Sequence, residues 1–314
     1  MVTFFNAVSA VFMIFSIMAV GYLMGRAGWM TGTEKKFISR FVVNIAVPMN
    51  CITGVLQNLK RDDLFDMGPR ILVPLVGIFI CLVISDLAAR WLRLPRKRYG
   101  IFIAMAFISN TLFIGLPIAN ELFGDVSIPY VMMYYMGSTI YTQTVAVMLC
   151  KSAGEMSKEK KKWSAVIKDI FTKPPVLGLI VAFGLLALDI RPPQIFMSFA
   201  KYMSNTVTPL ALMYCGFIVY ELGIRNIRLE RGIPMMLLIR LIIAPAICTG
   251  LCILFGVHGL NRSVFIIEAA LPVVSQITVM AGNYGADEKY AATGSVLSML
   301  GIFITVPILM VILT

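Results

Sequence analysis

The chain has 314 residues, of which 59% are hydrophobic and 14% charged, with a mean hydropathy of +0.87. A soluble globule cannot hide that much apolar surface, so the composition excludes one and selects an integral membrane protein. The apolar runs are helix-length and lack the alternation of a membrane barrel. The formal net charge of +11 is the loop excess of a membrane protein, not a sign of nucleic-acid binding.

Nearly charge-free segments recur at 4–25, 36–58, 70–90, 99–122, 128–150, 168–190, 197–220, 234–257, 263–285 and 290–313. Each approaches the roughly 20 residues that cross ~30 Å of hydrocarbon. Ten transmembrane helices in an all-α membrane protein are therefore predicted. The first run has no basic leader and no small-residue cleavage site, so it reads as a span rather than a removable signal. Arg40, Asp86, Lys173 and Arg240 encroach on the ends of spans two, three, six and eight.

Lys and Arg divide unevenly between alternate loops. One side receives Arg26, Lys35, Lys36, Arg40, Arg90–Arg98, Lys151–Lys173, Arg225–Arg240 and Lys289. The other receives only Lys60, Arg61, Arg70, Arg191, Lys201 and Arg262. The positive-inside rule makes the richer side cytoplasmic and both termini extracellular or periplasmic, in a multi-pass protein of the plasma membrane.

Span four carries the least helix-like sequence. Within the charge-free run Tyr99–Asn120 lies Ser109-Asn110-Thr111-Leu112-Phe113-Ile114-Gly115-Leu116-Pro117. Pro117 has no N–H, so the Phe113 carbonyl loses its helical partner, at a cost of about 3 kcal/mol in a helix interior. In hydrocarbon such a gap is tolerable only where the freed groups face protein or water. A simple proline kink is the alternative.

The hydrophilic stretch 151–167, with Lys158-Glu159-Lys160-Lys161-Lys162, divides the chain into residues 1–150 and 168–314, five spans each. It reads as a solvated cytoplasmic linker, or else as a lipid-binding basic patch. Between the halves, Asn44–Pro48 matches Asn205–Pro209, Pro117 matches Pro272, and Gly137-Ser138 matches Gly294-Ser295, at a near-constant offset of roughly 155–161 residues. An odd number of spans per half makes this an inverted repeat, a recurrent plan of secondary transporters. Pro272 then breaks span nine as Pro117 breaks span four. Half-helices starting near Gly115–Pro117 and Pro272–Val273 would offer N–H groups to a carboxylate, and the freed carbonyls would suit a cation or a donor. No midspan Lys or Arg is expected.

At these residues the sequence resembles the auxin efflux carrier family, which includes the plant PIN-FORMED carriers and many bacterial permeases. Asn110-Thr111-Leu112-Phe113-Ile114-Gly115-Leu116-Pro117 is similar to that family's Asn-Thr-Leu-x-x-Gly-x-Pro stretch. Val43–Pro48, Thr208–Leu212 and Ala269–Pro272 are similar to its spans two, seven and nine. The resemblance implies two inverted five-helix repeats with broken, crossing helices four and nine. Spans 1, 2, 6 and 7 would be a dimerising scaffold, and spans 3–5 and 8–10 a mobile, elevator-like transport unit. It also makes Asn110 a substrate contact and a small organic anion such as a carboxylate the cargo.

The candidate substrate-binding residues are thus Asn110, Thr111, Gly115, Pro117, Pro272, Val273, Ser275 and Gln276, with Asn44, Asn50, Asn205 and Tyr141 as supporting residues. Glu268, one turn before Pro272, is a candidate for coupling to H⁺ or Na⁺, or else an interfacial residue near Arg262. Asp86 and Arg90 are spaced for a local ion pair, and His258 reads as a solvated loop residue. Cys248 and Cys252 share a helix face without a neighbouring His or Asp, so neither a metal site nor a cofactor is expected. There is no HExxH, no P-loop and no midspan pair of aspartates, so an enzyme is excluded. A sodium-coupled carrier of the bile-acid symporter type is the nearest alternative, followed by a channel and a non-transporting receptor.

Overall fold

Backbone in hydrocarbon must close its hydrogen bonds locally, which favours helices. The computed structural model describes residues 2–61, 68–154, 168, 171–223, 229–274 and 276–313. Helix occupies all ten apolar stretches, and among the described residues the β-pairing is confined to a single antiparallel bridge, Ser109 with Val273. Ser275, Arg225, Arg228 and the basic run Lys158–Lys162 lie outside the described residues.

In chain order the helices are α1 (Val2–Arg26), α2 (Gly32–Phe41), α3 (Val47–Asn58), α4 (Leu72–Trp91), α5 (Arg96–Phe107), α6 (Leu116–Phe123), α7 (Ile128–Tyr141) and α8 (Val147–Ala153). They continue as α9 (Pro174–Ala187), α10 (Gln194–Asn205), α11 (Val207–Leu222), α12 (Ile233–Leu238), α13 (Ala244–Leu254), α14 (Gly259–Ala269), α15 (Gln276–Tyr284) and α16 (Glu288–Leu313). Among the described residues four uninterrupted runs are long and apolar enough to cross a membrane: Gly32–Asn58, Leu72–Trp91, Ile233–Leu254 and Glu288–Leu313. Phe12–Arg26, Thr111–Phe123 and Pro174–Ala187 are apolar but shorter.

Prolines do not break these helices where they stand. Pro48, Pro117 and Pro245 each lie two residues beyond a π-helical turn, at Val42–Ala46, Thr111–Gly115 and Ile239–Ile243 respectively. A proline ring presses on the carbonyl four residues back, and an i→i+5 turn moves that carbonyl aside. The N–H of Leu116, for instance, reaches back to the Thr111 carbonyl. A fourth π-turn, Thr142–Ala146, has no such proline; the Thr142 and Thr144 hydroxyls bond back to the Ser138 and Ile140 carbonyls, which bends a helix.

The helices associate in two sets. α1 packs along α11, and α3 packs against α9 and α10. α4 lies against α5 and α13, α5 against α8, and α15 against α16 and α8. A clamp at one end of the second set ties α5 to the chain ahead of α12 and α16: Arg98 pairs with Glu230 at 2.5 Å and with Asp287 at 2.7 Å, above the Tyr290 ring. The ion pair expected of Asp86 and Arg90 forms at 2.8 Å.

Glycine sets the closest approach of α1 and α11. A Cβ at Gly21 would collide with the Met213 backbone, and one at Gly216 with the Met18 backbone. Small residues let helices meet at van der Waals distance where hydrocarbon gives no hydrophobic drive to association. Gly184, by contrast, faces open space. Gly216→Val is therefore expected to lower the melting temperature, by a loss of about 1–3 kcal/mol for overpacking, while Gly184→Ala leaves it unchanged or slightly raised. A thermal melt of the purified protein compares the two, and equal melting would refute this account of the α1–α11 contact.

Candidate functional site

The true interruption of span four comes earlier than Pro117. α5 ends at Phe107, Ile108 is extended, and the chain turns helical again only at Thr111, with Asn110 as the N-cap. The Asn110 side-chain oxygen accepts the Phe113 N–H at 3.3 Å, as an N-cap does. Span nine is interrupted between Ala269 and Gln276, and there Pro272 lies within the gap itself. The expected half-helix starts at Gly115–Pro117 and Pro272–Val273 therefore move to Thr111 and Gln276. The reason is the π-turn, which accommodates Pro117 inside a helix and leaves the polar pair Ser109-Asn110 as the place where the backbone opens.

The two gaps cross. The Asn110 N–H donates to the Pro272 carbonyl at 2.8 Å, and Ser109 bridges Val273 in antiparallel fashion. The Val273 N–H goes to the Ser298 hydroxyl at 3.0 Å, and that hydroxyl donates to the Ser295 carbonyl at 2.8 Å. In a continuous helix Asn110 N–H would have bonded the Ala106 carbonyl, and Val273 N–H the Ala269 carbonyl. Both acceptors are taken up by Arg240: one guanidinium nitrogen reaches Ala106 O at 3.3 Å and another donates to Ala269 O.

Arg240 sits in the π-turn Ile239–Ile243 and is 1% exposed. It is a correction to the expectation that no basic residue lies at midspan, and to its assignment to the cytoplasmic basic set. One arginine in an apolar run reads the same whether it ends a helix or caps two others; only its fold neighbours distinguish the cases.

A cavity of about 220 Å³ opens beside the crossing. It is lined by Ser109, Asn110, Thr111, Gln276, Ser138, Thr139, Thr142 and Gln143, by Tyr135 and Tyr214, and by Ser39, Val43 and Lys173 toward the basic loops. Among the described lining residues Lys173 is the single charged side chain. Phe113 stacks on Tyr214 at 4.8 Å, forming an aromatic wall where the half-helix meets α11. The polar run Ser138–Thr144 of span five was a visible signal for this wall that the proline pattern overshadowed.

The structure brings Asn110, Thr111 and Gln276 to the cavity and places Pro272 and Val273 at the crossing behind it. Gly115 and Pro117 are buried and do not line it. Gly115 instead admits Glu268: a Cβ there would meet both Glu268 carboxylate oxygens. Glu268 is fully buried, and neither oxygen has a hydrogen-bond partner among the described residues. That places it in the interior, not at an interface beside Arg262.

The four supporting candidates scatter. Asn44 is exposed and lines neither cavity, and the Tyr141 hydroxyl donates to the Leu75 carbonyl at 3.0 Å. Asn50 donates to the Ser204 hydroxyl at 2.7 Å and shares with Asn205 a second polar cavity of about 210 Å³. That cavity also contains Asn120, Glu121 and Asp125, the last paired with Lys201. His258 is exposed and caps α14 without a side-chain bond. All six cysteines are buried and free.

Against known proteins, a family model described as Membrane transport protein matches residues 6–310. The chain is 23% identical to an uncharacterized transporter of Methanothermobacter thermautotrophicus across 99% of each chain. It is also 23% identical to an uncharacterized transporter of Methanocaldococcus jannaschii, covering 90% of this chain and 91% of that one. To the lysosomal cholesterol signaling protein of Mus musculus it is 24% identical over 95% of its length, which is 36% of the mouse protein.

Proposed function

The chain belongs to the Membrane transport protein family, the auxin efflux carrier family that Asn110–Pro117 resembles, and is a transporter rather than an enzyme; from that premise we propose a secondary transporter of a small organic anion such as a carboxylate. The observation that carries this reading is the crossing of two interrupted helices, Asn110 N–H on Pro272 O, beside a polar cavity. The cavity wall offers hydroxyls, amides and Lys173 but no carboxylate among the described residues. The half-helix that begins at Thr111 brings the positive end of its dipole to the cavity, which favours an anion.

The mechanism we infer is alternating access of the elevator kind. α1, α2, α3, α9, α10 and α11 form the scaffold, and α4–α8 with α12–α16 form the moving unit. Span one packs on span seven as span six packs on span two, which is the exchange that two inverted five-helix repeats require. The cavity reaches from the crossing toward Ser39 and Lys173, beside the basic loops, so this conformation is read as open to the cytoplasm. Lys201–Asp125 then ties the scaffold to the moving unit on the opposite side. The scaffold faces of two copies would meet in a lipid-embedded homodimer of the plasma membrane, both termini outside.

Glu268 is assigned the coupling proton. An ion held without partners in an apolar interior is costly, so the neutral, protonated carboxyl suits this conformation. A sodium ion would need several oxygen ligands, and no polar group is bonded to the Glu268 carboxylate among the described residues.

Uptake of radiolabelled mono- and dicarboxylates into proteoliposomes is expected to be saturable and pH-dependent; a panel with no counterflow at all would sink the transport reading. Asn110→Leu keeps the volume but removes an amide, so it is expected to weaken binding of the transported acid by about 1–3 kcal/mol, with parent-like affinity overturning the contact. Glu268→Gln is expected to abolish the pH dependence of net uptake while sparing exchange, and an unchanged pH profile would clear Glu268. Single cysteines at residues 2 and 313 of a cysteine-free variant are expected to react with an impermeant thiol reagent in intact cells; protection of both would invert the orientation.

A further inference from the structure

We propose that Arg240 is a tethered cation, a positioning residue whose guanidinium fills the carbonyl site at the helix crossing and holds both interrupted helices without a bound metal ion. The argument starts from two N–H groups. Asn110 N–H is diverted to Pro272 O, and Val273 N–H to Ser298 Oγ. Each diversion strands the carbonyl four residues earlier, Ala106 O at the end of α5 and Ala269 O at the end of α14. These two are the acceptors that Arg240 contacts.

The ends of α5 and α14 are the negative poles of two helix dipoles, and they converge on one point. A buried guanidinium ordinarily needs a carboxylate to offset its desolvation. Arg240 has none in an ion pair among the described residues, and its Nε has no partner. Glu268, one residue before Ala269, directs its carboxylate to Gly115 instead. The two helix ends therefore take the place of the counter-ion. A planar fork with several donors can bridge two carbonyls on different helices, which a lysine head on one stem does less well.

The consequence is a division of labour at the crossing. The N-terminal halves of the two spans, α5 and α14, are locked together at their C-terminal ends by a charge that belongs to the chain. The C-terminal halves, whose N-terminal ends are Thr111 and Gln276, are left to line the cavity. Because Arg240 is carried on the π-turn Ile239–Ile243, the lock also joins the crossing to α12 and α13. A monovalent metal has no vacant carbonyl pair to occupy here, and its place opens only when the arginine is removed.

The test uses no substrate, so it stands or falls separately from the transport reading. The full-length purified protein is compared with Arg240→Ala, Arg240→Met and Arg240→Lys by thermal melting and by amide exchange of 108–111 and 271–274. Arg240→Met keeps the bulk and loses the charge, and it is expected to melt lower and to exchange about tenfold or more faster in both segments. Arg240→Ala is expected to regain stability with millimolar guanidinium chloride, but not with equimolar urea, which has a similar shape without charge, nor with choline chloride. Arg240→Lys is expected to fall between the parent and Arg240→Met, and that order decides the matter if Arg240→Ala does not fold. Parent-like melting and exchange in Arg240→Met, rescue by urea equal to that by guanidinium, no rescue at all, or equal stability of the Met and Lys variants would each overturn the proposal.

Discussion

A backbone N–H or carbonyl that leaves its helix inside a low-dielectric interior must find another partner, and the centre of this molecule is arranged around four such groups. Asn110 N–H finds Pro272 O, Val273 N–H finds Ser298 Oγ, and the carbonyls of Ala106 and Ala269 find Arg240. Each replacement partner comes from a different span, so the two gaps are stable only in each other's presence and with α12–α13 and α16 in place. The polar cavity beside them follows, because Asn110, Thr111 and Gln276 are held where the half-helices begin, next to Ser138, Thr139 and Thr142.

The prolines play a quieter part than their positions suggest. Three of them follow π-turns and leave their helices unbroken. What a π-turn does in exchange is rotate the helix after it, since one extra residue shifts the side-chain faces beyond. The turn at Thr111–Gly115 lies between the Asn110 cap and α6, and it brings Gly115 against Glu268. The turn at Ile239–Ile243 places Arg240 toward the crossing rather than toward lipid. Backbone irregularity and a buried ionisable side chain thus coincide at two points, for the same steric reason.

Polar groups outside the crossing gather mainly at a second place. The cavity containing Asn50, Asn120, Asp125 and Asn205 lies at the far end of α6, where α3 and α10 of one helix set meet the start of α7 in the other. Lys201 pairs with Asp125 across this boundary, while Asn50 bonds Ser204 between α3 and α10 within the first set. The first set contains Gly21 and Gly216 at its tightest contact, the second the Arg98 clamp. Cohesion within the first set therefore includes close backbone approach, and within the second a cluster of partly exposed ion pairs. The boundary between them is mixed: Met18 of α1 and Leu212 of α11 share an apolar cluster with Ile118 of α6 and Met299 of α16, and Lys201 pairs with Asp125 across it.

Sequence alone determined the all-helical membrane character, the position of the ten apolar stretches and the special nature of Ser109–Pro117 and Ala269–Gln276. These are readable because hydropathy, chain length per span and the missing proline N–H are local properties. The i,i+4 spacing of Asp86 and Arg90 was readable for the same reason. The tertiary structure alone decided that the helix opens at Asn110 rather than Pro117, because the π-turn that shelters the proline depends on what surrounds it. It also decided that Asn44 and Tyr141 stand apart from the crossing while Ser138, Thr142 and Lys173 line the cavity there. Arg240 shows the limit most clearly. Its position in the sequence marks a charge near a span end, and its partners are carbonyls 134 and 29 residues away. Burial and hydrogen-bond partnership are properties of pairs of segments, and no periodicity within one segment encodes which distant backbone will arrive to receive a charge.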